Sequence, residues 1–234
     1  AEQMQNWQAM HDACQKAFLI AENRADVFYL FGKACFGLDD MISAIAMLTK
    51  SITMDAAFQP AYALRCEVLM QMNQWVEAGQ DADKLIELNP ENETYLLYKA
   101  YCLQGQGKTE EALIYYNKVT TLNAFCVQAY LAQGNLLVQT GQLEKALAIY
   151  NEALEINPQS AEAYKERGGV KMQLGDKDGA AEDLQKSLEL APQNAEQING
   201  AFNNIEAQVN LVYLFGASAQ NTYICNRFQE TTET

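Results

Sequence analysis

One alanine recurs every 34 residues along the chain, five times and without an insertion or a deletion: Ala44, Ala78, Ala112, Ala146 and Ala180. Two more columns keep the same interval. The first is large and mostly aromatic: Phe28, Tyr62, Leu96, Tyr130 and Tyr164. The second is small: Gly32, Cys66, Ala100, Gly134 and Gly168. This period, with paired large and small positions, is typical of arrays of helix–turn–helix units. Because each unit packs mainly on its neighbours, the pattern predicts one elongated all-α domain with a continuous core.

The fourth unit, residues 127–160, shows how the helices are delimited. Apolar residues at helical spacing predict a first helix over about 128–140 and a second helix over 143–156. Gly141 lies between them, and we expect it to adopt the left-handed backbone conformation that residues with a Cβ resist. Gly107 and Gly175 occupy the same column. Pro158 then ends the second helix at Asn157, because a residue before proline is disfavoured in the helical region.

The columns resemble the tetratricopeptide repeat family, which has an early aromatic, a small residue, an alanine in the second helix and a closing proline. Pro90, Pro158 and Pro192 occupy the closing column, with Ala56 and Ala124 in the other two units. The predicted repeats are residues 25–58, 59–92, 93–126, 127–160 and 161–194. The resemblance implies a right-handed superhelix (α-solenoid) of antiparallel helix pairs.

The two ends depart from the repeat. Residues 1–24 follow the frame of a second helix, which predicts an N-terminal helix or a partial repeat. Residues 195–212 carry apolar positions at steps of three and four, which predicts an amphipathic capping helix. Residues 213–234 form a C-terminal tail whose apolar side chains need a surface to cover them.

Charge restricts the partners. The net charge is −14, and affinity for phosphates depends on Lys and Arg, so nucleic acid is excluded as a partner. No stretch has the roughly 18 apolar residues of a membrane span, which excludes membrane insertion. We expect another protein or peptide as the partner, and a homo-oligomer through the ends or the tail is the alternative. A cytoplasmic location is expected, or a periplasmic or surface-associated one if a leader was removed.

The sequence also gives no sign of an enzyme. Six cysteines are scattered without a C-x-x-C pair, and His11 is the one histidine, so neither a metal nor another cofactor is predicted. Cys35 and Cys66 fall in core columns and are predicted to be small buried residues. Acidic pairs such as Asp39-Asp40, Glu110-Glu111 and Glu182-Asp183 are interpreted as charges that complement helix N-termini.

In the resembling family, the first helices line a concave groove that binds peptides. Three columns carry over, at steps of four and three within each first helix, so their side chains share one face. The predicted groove residues are Tyr29, Lys33, Phe36, Glu67, Met70, Leu97, Tyr101, Gln104, Leu131, Asn135, Val138, Lys165 and Met172. The alternative is that this stripe is rotated and that some of these residues belong to the core.

Two functions remain open. The first is an interaction scaffold that binds a peptide or helix of a partner. It would lack the carboxylate clamp of chaperone-binding members. The asparagine column of that clamp reads Lys33, Glu67, Tyr101 and Asn135 here, the neighbouring column contains no Arg or Asn, and Glu67 and Glu166 would repel a carboxylate. The second is a self-assembling structural protein that uses its ends or tail. Light scattering before and after removal of residues 213–234 separates these two possibilities.

Overall fold

The computed structural model describes the backbone of residues 2–18 and 24–194, and the side chains of residues 4–16 and 24–193. These residues form eleven α-helices and one short 3-10 helix, without a strand. The helices are α1 (Glu2–Phe18), α2 (Ala25–Gly37), α3 (Met41–Met54), α4 (Gln59–Gln71), α5 (Trp75–Leu88), α6 (Glu93–Gly105), α7 (Thr109–Leu122), α8 (Val127–Gln139), α9 (Leu143–Ile156), α10 (Ala161–Gln173) and α11 (Lys177–Leu190), and the 3-10 turn is Pro192–Asn194. The predicted capping helix 195–212 and tail 213–234 lie outside the described residues.

Each predicted repeat contains two helices separated by a short turn. Helix α9 has the predicted bounds, and α8 begins and ends one residue earlier than expected. Gly107, Gly141 and Gly175 have φ angles of 75°, 72° and 87°, which confirms the left-handed turn. Asp39 and Asn73 occupy the same column in the first two repeats and adopt φ angles of 65° and 58°. The sequence interpretation overlooked these two residues, although Asp and Asn are the residues with a Cβ that best tolerate this conformation.

The described residues group into two compact units. The first is residues 1–140, with α1 to α8, and the second begins at Gly141 and contains α9 to α11. The boundary lies in the turn between α8 and α9, inside the fourth predicted repeat.

The small columns permit close approach of the two helices of a pair. All five alanines of the defining column are fully buried. A Cβ added at Gly32 would lie 2.7 Å from Leu48 Cγ, and one added at Gly168 would lie 3.1 Å from Leu184 Cγ. Cys35 and Cys66 are also buried, as predicted. The columns therefore mark the contact between paired helices, where a larger side chain would overpack the core.

A repeated tryptophan–glycine contact joins successive helix pairs in the first unit. An added Cβ at Gly105, the last residue of α6, would lie 2.2 Å from Trp75 Cδ2. The same distance separates a Cβ added at Gly37, at the end of α2, from Trp7 Cδ2. Trp7 precedes Trp75 by two repeat lengths. Helix α1 therefore packs on α2 as the second helix α5 packs on α6.

The second helices differ in how they are capped. The carboxylates of Asp40 and Asp176 accept hydrogen bonds from the backbone N–H groups of Ser43 and Gly179, at the N-termini of α3 and α11. Hydrogen bonds from Ser43 hold the pKa of Asp40 below its usual range. The stabilisation from Asp40 is therefore present at neutral pH and is lost as the pH falls through that lowered value. The N-cap residue of α5, Gln74, makes no side-chain hydrogen bond to the helix N-terminus.

We expect Gln74→Asp to stabilise the protein by about 1 kcal/mol, because Asp supplies the missing N-cap acceptor. The measurement is the free energy of unfolding from denaturant titration. Gln74→Ala serves as the control, since it shortens the side chain without adding an acceptor. Equal stabilities for the two variants would contradict the capping argument.

Candidate functional site

All thirteen predicted groove residues lie on the first helices of their repeats. Eleven belong to α2, α4, α6 and α8 of the first unit, and Lys165 and Met172 belong to α10 of the second. Most are half-buried, Lys33 is exposed, and Leu97 is only 7% exposed. Leu97 packs in the core cluster of α6, α7 and α8 with Ala100 and Leu103, so it offers no surface to a ligand. We call the remaining ten residues of the first unit the first-helix face.

The buried Tyr116 orients two residues of this face, Tyr101 through a ring contact and Gln104 through a hydrogen bond. The ring centroids of Tyr101 and Tyr116 lie 5.8 Å apart, edge to face. The Tyr116 hydroxyl donates a hydrogen bond of 2.6 Å to Gln104 Oε1. Tyr116 is fully buried, and this burial raises the pKa of its phenol. The protonated hydroxyl thus holds Gln104 in place, and the Tyr116 ring packs edge to face against the Tyr101 ring.

A second hydrogen bond links α6 to α4. The Tyr98 hydroxyl donates to Glu67 Oε1. Burial, with a further contribution from the bond to the Glu67 carboxylate, raises the pKa of Tyr98, so this hydroxyl also remains a donor. Glu67 is therefore oriented before any ligand binds.

Ion pairs link the first helices α4 and α6 to the second helix α5. Arg65 donates to both carboxylate oxygens of Asp81 at 2.8 Å and 2.6 Å, and to Thr49 of the preceding repeat at 2.8 Å. Burial raises the pKa of Asp81, and Arg65 opposes that shift. Lys99 pairs with Asp83 at 2.7 Å.

The second unit repeats this arrangement. Arg167 binds both oxygens of Asp183, at 2.8 Å and 2.6 Å, and Asn151 at 2.8 Å. Lys171 also contacts Asp183, at 2.9 Å. The interpretation of Glu182 and Asp183 as charges at a helix N-terminus is therefore wrong: both lie in the middle of α11, and Asp183 is buried between two cations. For Asp40 and for Glu110 and Glu111, which occupy the first turn of α7, that interpretation is confirmed.

Sequence reasoning missed these pairs, although a signal for them was present. The seventh residue of repeats two to five is polar or charged, namely Arg65, Lys99, Gln133 and Arg167, and in each repeat it directly precedes the small column. A polar side chain at such a position requires a partner, because an unpaired buried charge is costly.

Within the described ranges, no group of three or more His, Cys, Asp or Glu side chains is placed to hold a metal ion. None of the described helices is long and apolar enough to span a membrane.

Comparison with known families decides the classification. Profiles described as tetratricopeptide repeat match residues 25–58, 95–126 and 133–199, which together are more than half of the chain. The chain belongs to the tetratricopeptide repeat family. Its fold is the all-α helical-repeat solenoid, and proteins built from these repeats are protein-interaction scaffolds, generally without enzymatic activity.

Solved structures of tetratricopeptide repeat proteins share this fold. YrrB, described as having an unusual peptide-binding site, is 21% identical with a TM-score of 0.61, over 82% of this chain and 98% of its own. MamA from Desulfovibrio magneticus RS-1 is 19% identical with a TM-score of 0.65, over 72% and 96%. Yeast Tom70 is 17% identical with a TM-score of 0.67, over 94% and 46%. None of the curated proteins matches the chain in sequence.

Proposed function

We propose that the first-helix face of the first unit binds a peptide segment of a partner protein, and that this tetratricopeptide repeat protein acts as a scaffold without catalysis. The observation that carries the proposal is the preset orientation of Tyr101, Gln104 and Glu67 by buried or half-buried tyrosines. A rigid aromatic and polar surface loses little side-chain entropy on binding. The peptide-binding site of YrrB supports the same use of the fold.

The composition of the face suits a peptide. Met70, Leu131 and Val138 are half-buried apolar residues of the same first-helix face. Methionine and aromatic side chains are enriched in protein interfaces, the first because it adapts its shape and the second because it offers a large rigid area. An extended or helical peptide presents both apolar and polar groups along its length, so it can contact both kinds of residue on this face.

A matched pair of triple variants tests this proposal. The face variant carries Met70→Glu, Leu131→Glu and Asn135→Glu. The control variant carries Ile42→Glu, Val76→Glu and Ile114→Glu, at residues that are 76%, 57% and 54% exposed on the second helices α3, α5 and α7. We expect partners captured from the source lysate by the wild type to be lost with the face variant and kept with the control.

Circular dichroism establishes that both variants are folded. A folded face variant that captures the same partners as the wild type would place the binding surface elsewhere and refute the proposal.

A further prediction concerns chaperone tails. We expect peptides with an acidic C-terminus to show no measurable binding, because Glu67 repels a carboxylate and the column offers Lys33 as its only cation in the first unit. Isothermal titration calorimetry with the free-acid peptide and its C-terminal amide checks this expectation. Micromolar binding that requires the free carboxylate would show that a clamp exists after all.

A further inference from the structure

We propose that Glu67, Tyr98 and Tyr101 form a site for one arginine side chain of the bound peptide. This inference rests on the proposed function, because it specifies which chemical group the same face recognises.

Glu67 has a carboxylate that no cation of the described residues neutralises. Its Oε1 accepts the hydrogen bond from Tyr98, and no described side chain donates to Oε2. The neighbouring cations are already engaged, since Arg65 binds Asp81 and Lys99 binds Asp83. Lys33, in the same column one repeat earlier, forms no ion pair with Glu67. A half-buried acid in this state gains from a cation supplied by a ligand.

The other first-helix acids of the first unit differ from Glu67. Asp26 pairs with Arg24 beside it, and Glu93 accepts a hydrogen bond of 2.7 Å from Asn123 Nδ2. Both lie at the starts of their helices, away from the column that contains Glu67 and Tyr101. Glu67 is therefore the carboxylate of this face that is available to a ligand.

The aromatic neighbours favour arginine over lysine. Tyr98 and Tyr101 are one helical turn apart on α6, and the Tyr98 hydroxyl brings its ring beside the carboxylate. A guanidinium is planar, stacks on aromatic rings and donates several parallel hydrogen bonds to a carboxylate. It is also more weakly hydrated than an ammonium group, so entry into a half-buried site costs less. The net charge of −14 attracts a cationic ligand to the protein as a whole.

Selection from a phage-displayed library of random peptides tests the site. The full chain is used as bait in the wild-type form and as two variants, Glu67→Gln and Glu110→Gln. The amide introduced by Glu67→Gln keeps an acceptor for the Tyr98 hydroxyl, and Glu110→Gln removes the same charge from an exposed residue of α7. We expect arginine to be enriched at one position with the wild type and with Glu110→Gln, and not with Glu67→Gln.

Synthetic peptides from the wild-type selection provide the quantitative measurement. Replacing the enriched arginine by citrulline, a neutral analogue of similar shape, should weaken binding to the wild type about tenfold, because a charge-assisted pair is lost. The same replacement should change binding to Glu67→Gln little. Lysine at this position should bind more weakly than arginine.

The outcomes separate the two proposals. Peptides that bind the first-helix face without an arginine preference, or with one that Glu67→Gln retains, would overturn the arginine site and leave the proposed function standing. Equal affinity for lysine would overturn the assignment to arginine. A library that yields no binding peptide would overturn both proposals.

Discussion

Asp183→Ala is expected to lower the free energy of unfolding by about 3–5 kcal/mol, the typical loss when one partner of a buried ion pair is removed. Asp183 is buried, and its carboxylate lies between Arg167 and Lys171. The variant would leave two cations, each less than 20% exposed, without their counter-charge. Denaturant unfolding followed by far-ultraviolet circular dichroism measures the loss.

The neighbouring acid provides the control for this prediction. Glu182 is exposed and precedes Asp183 on the same helix. Glu182→Ala removes an equal charge from the surface of α11, and we expect a change within about 0.5 kcal/mol. Similar losses for both variants would mean that the buried pairs contribute nothing beyond net charge.

Gly105→Ala should destabilise the first unit by about 1–3 kcal/mol, as overpacking of a tight contact does. The added methyl group would occupy the space of the Trp75 ring, whose Cδ2 would lie 2.2 Å away. The Trp75 backbone is held next to the end of α6, because its carbonyl accepts a hydrogen bond of 2.9 Å from Gln106 Nε2. The ring must therefore shift, and tryptophan fluorescence should change. The measurement is made in a Trp7→Phe background, in which Trp75 is the only tryptophan.

A second glycine supplies the matched control. A Cβ added at Gly169, inside α10, meets no heavy atom within 4 Å. Gly169→Ala is expected to stabilise the protein by about 1 kcal/mol, because alanine is the better helix former. Stabilisation by Gly105→Ala as well would show that the tryptophan contact is loose.

The regular columns made most of the fold predictable from the sequence. A position such as Ala146 recurs in every unit, so five copies report the same packing requirement. The turns were equally accessible, except at Asp39 and Asn73, where the left-handed conformation does not use glycine.

The candidate site was less predictable, because its properties depend on contacts between neighbouring repeats. Leu97 shares its column with half-buried residues yet lies in the core, and Tyr98 beside it forms a hydrogen bond to Glu67 of the preceding repeat. Periodicity within one helix contains no information on such a bond. The tryptophan–glycine contacts could have been found, because Trp7 and Trp75 precede Gly37 and Gly105 by the same number of residues.

The polar residue at the seventh position of a repeat has a consequence for how this chain can evolve. In four repeats that residue bonds to a side chain of the preceding second helix: Arg65 to Thr49, Lys99 to Asp83, Gln133 to Asn117 and Arg167 to Asn151. Each repeat is thus matched to its predecessor. Exchanging the second and third repeats would place Lys99 after Thr49 and deprive it of its carboxylate. The repeats have the same length and the same pair of helices, but the polar side chains of each are matched to those of the repeat before it. Duplication or exchange of single repeats would therefore place polar side chains beside neighbours that do not pair with them.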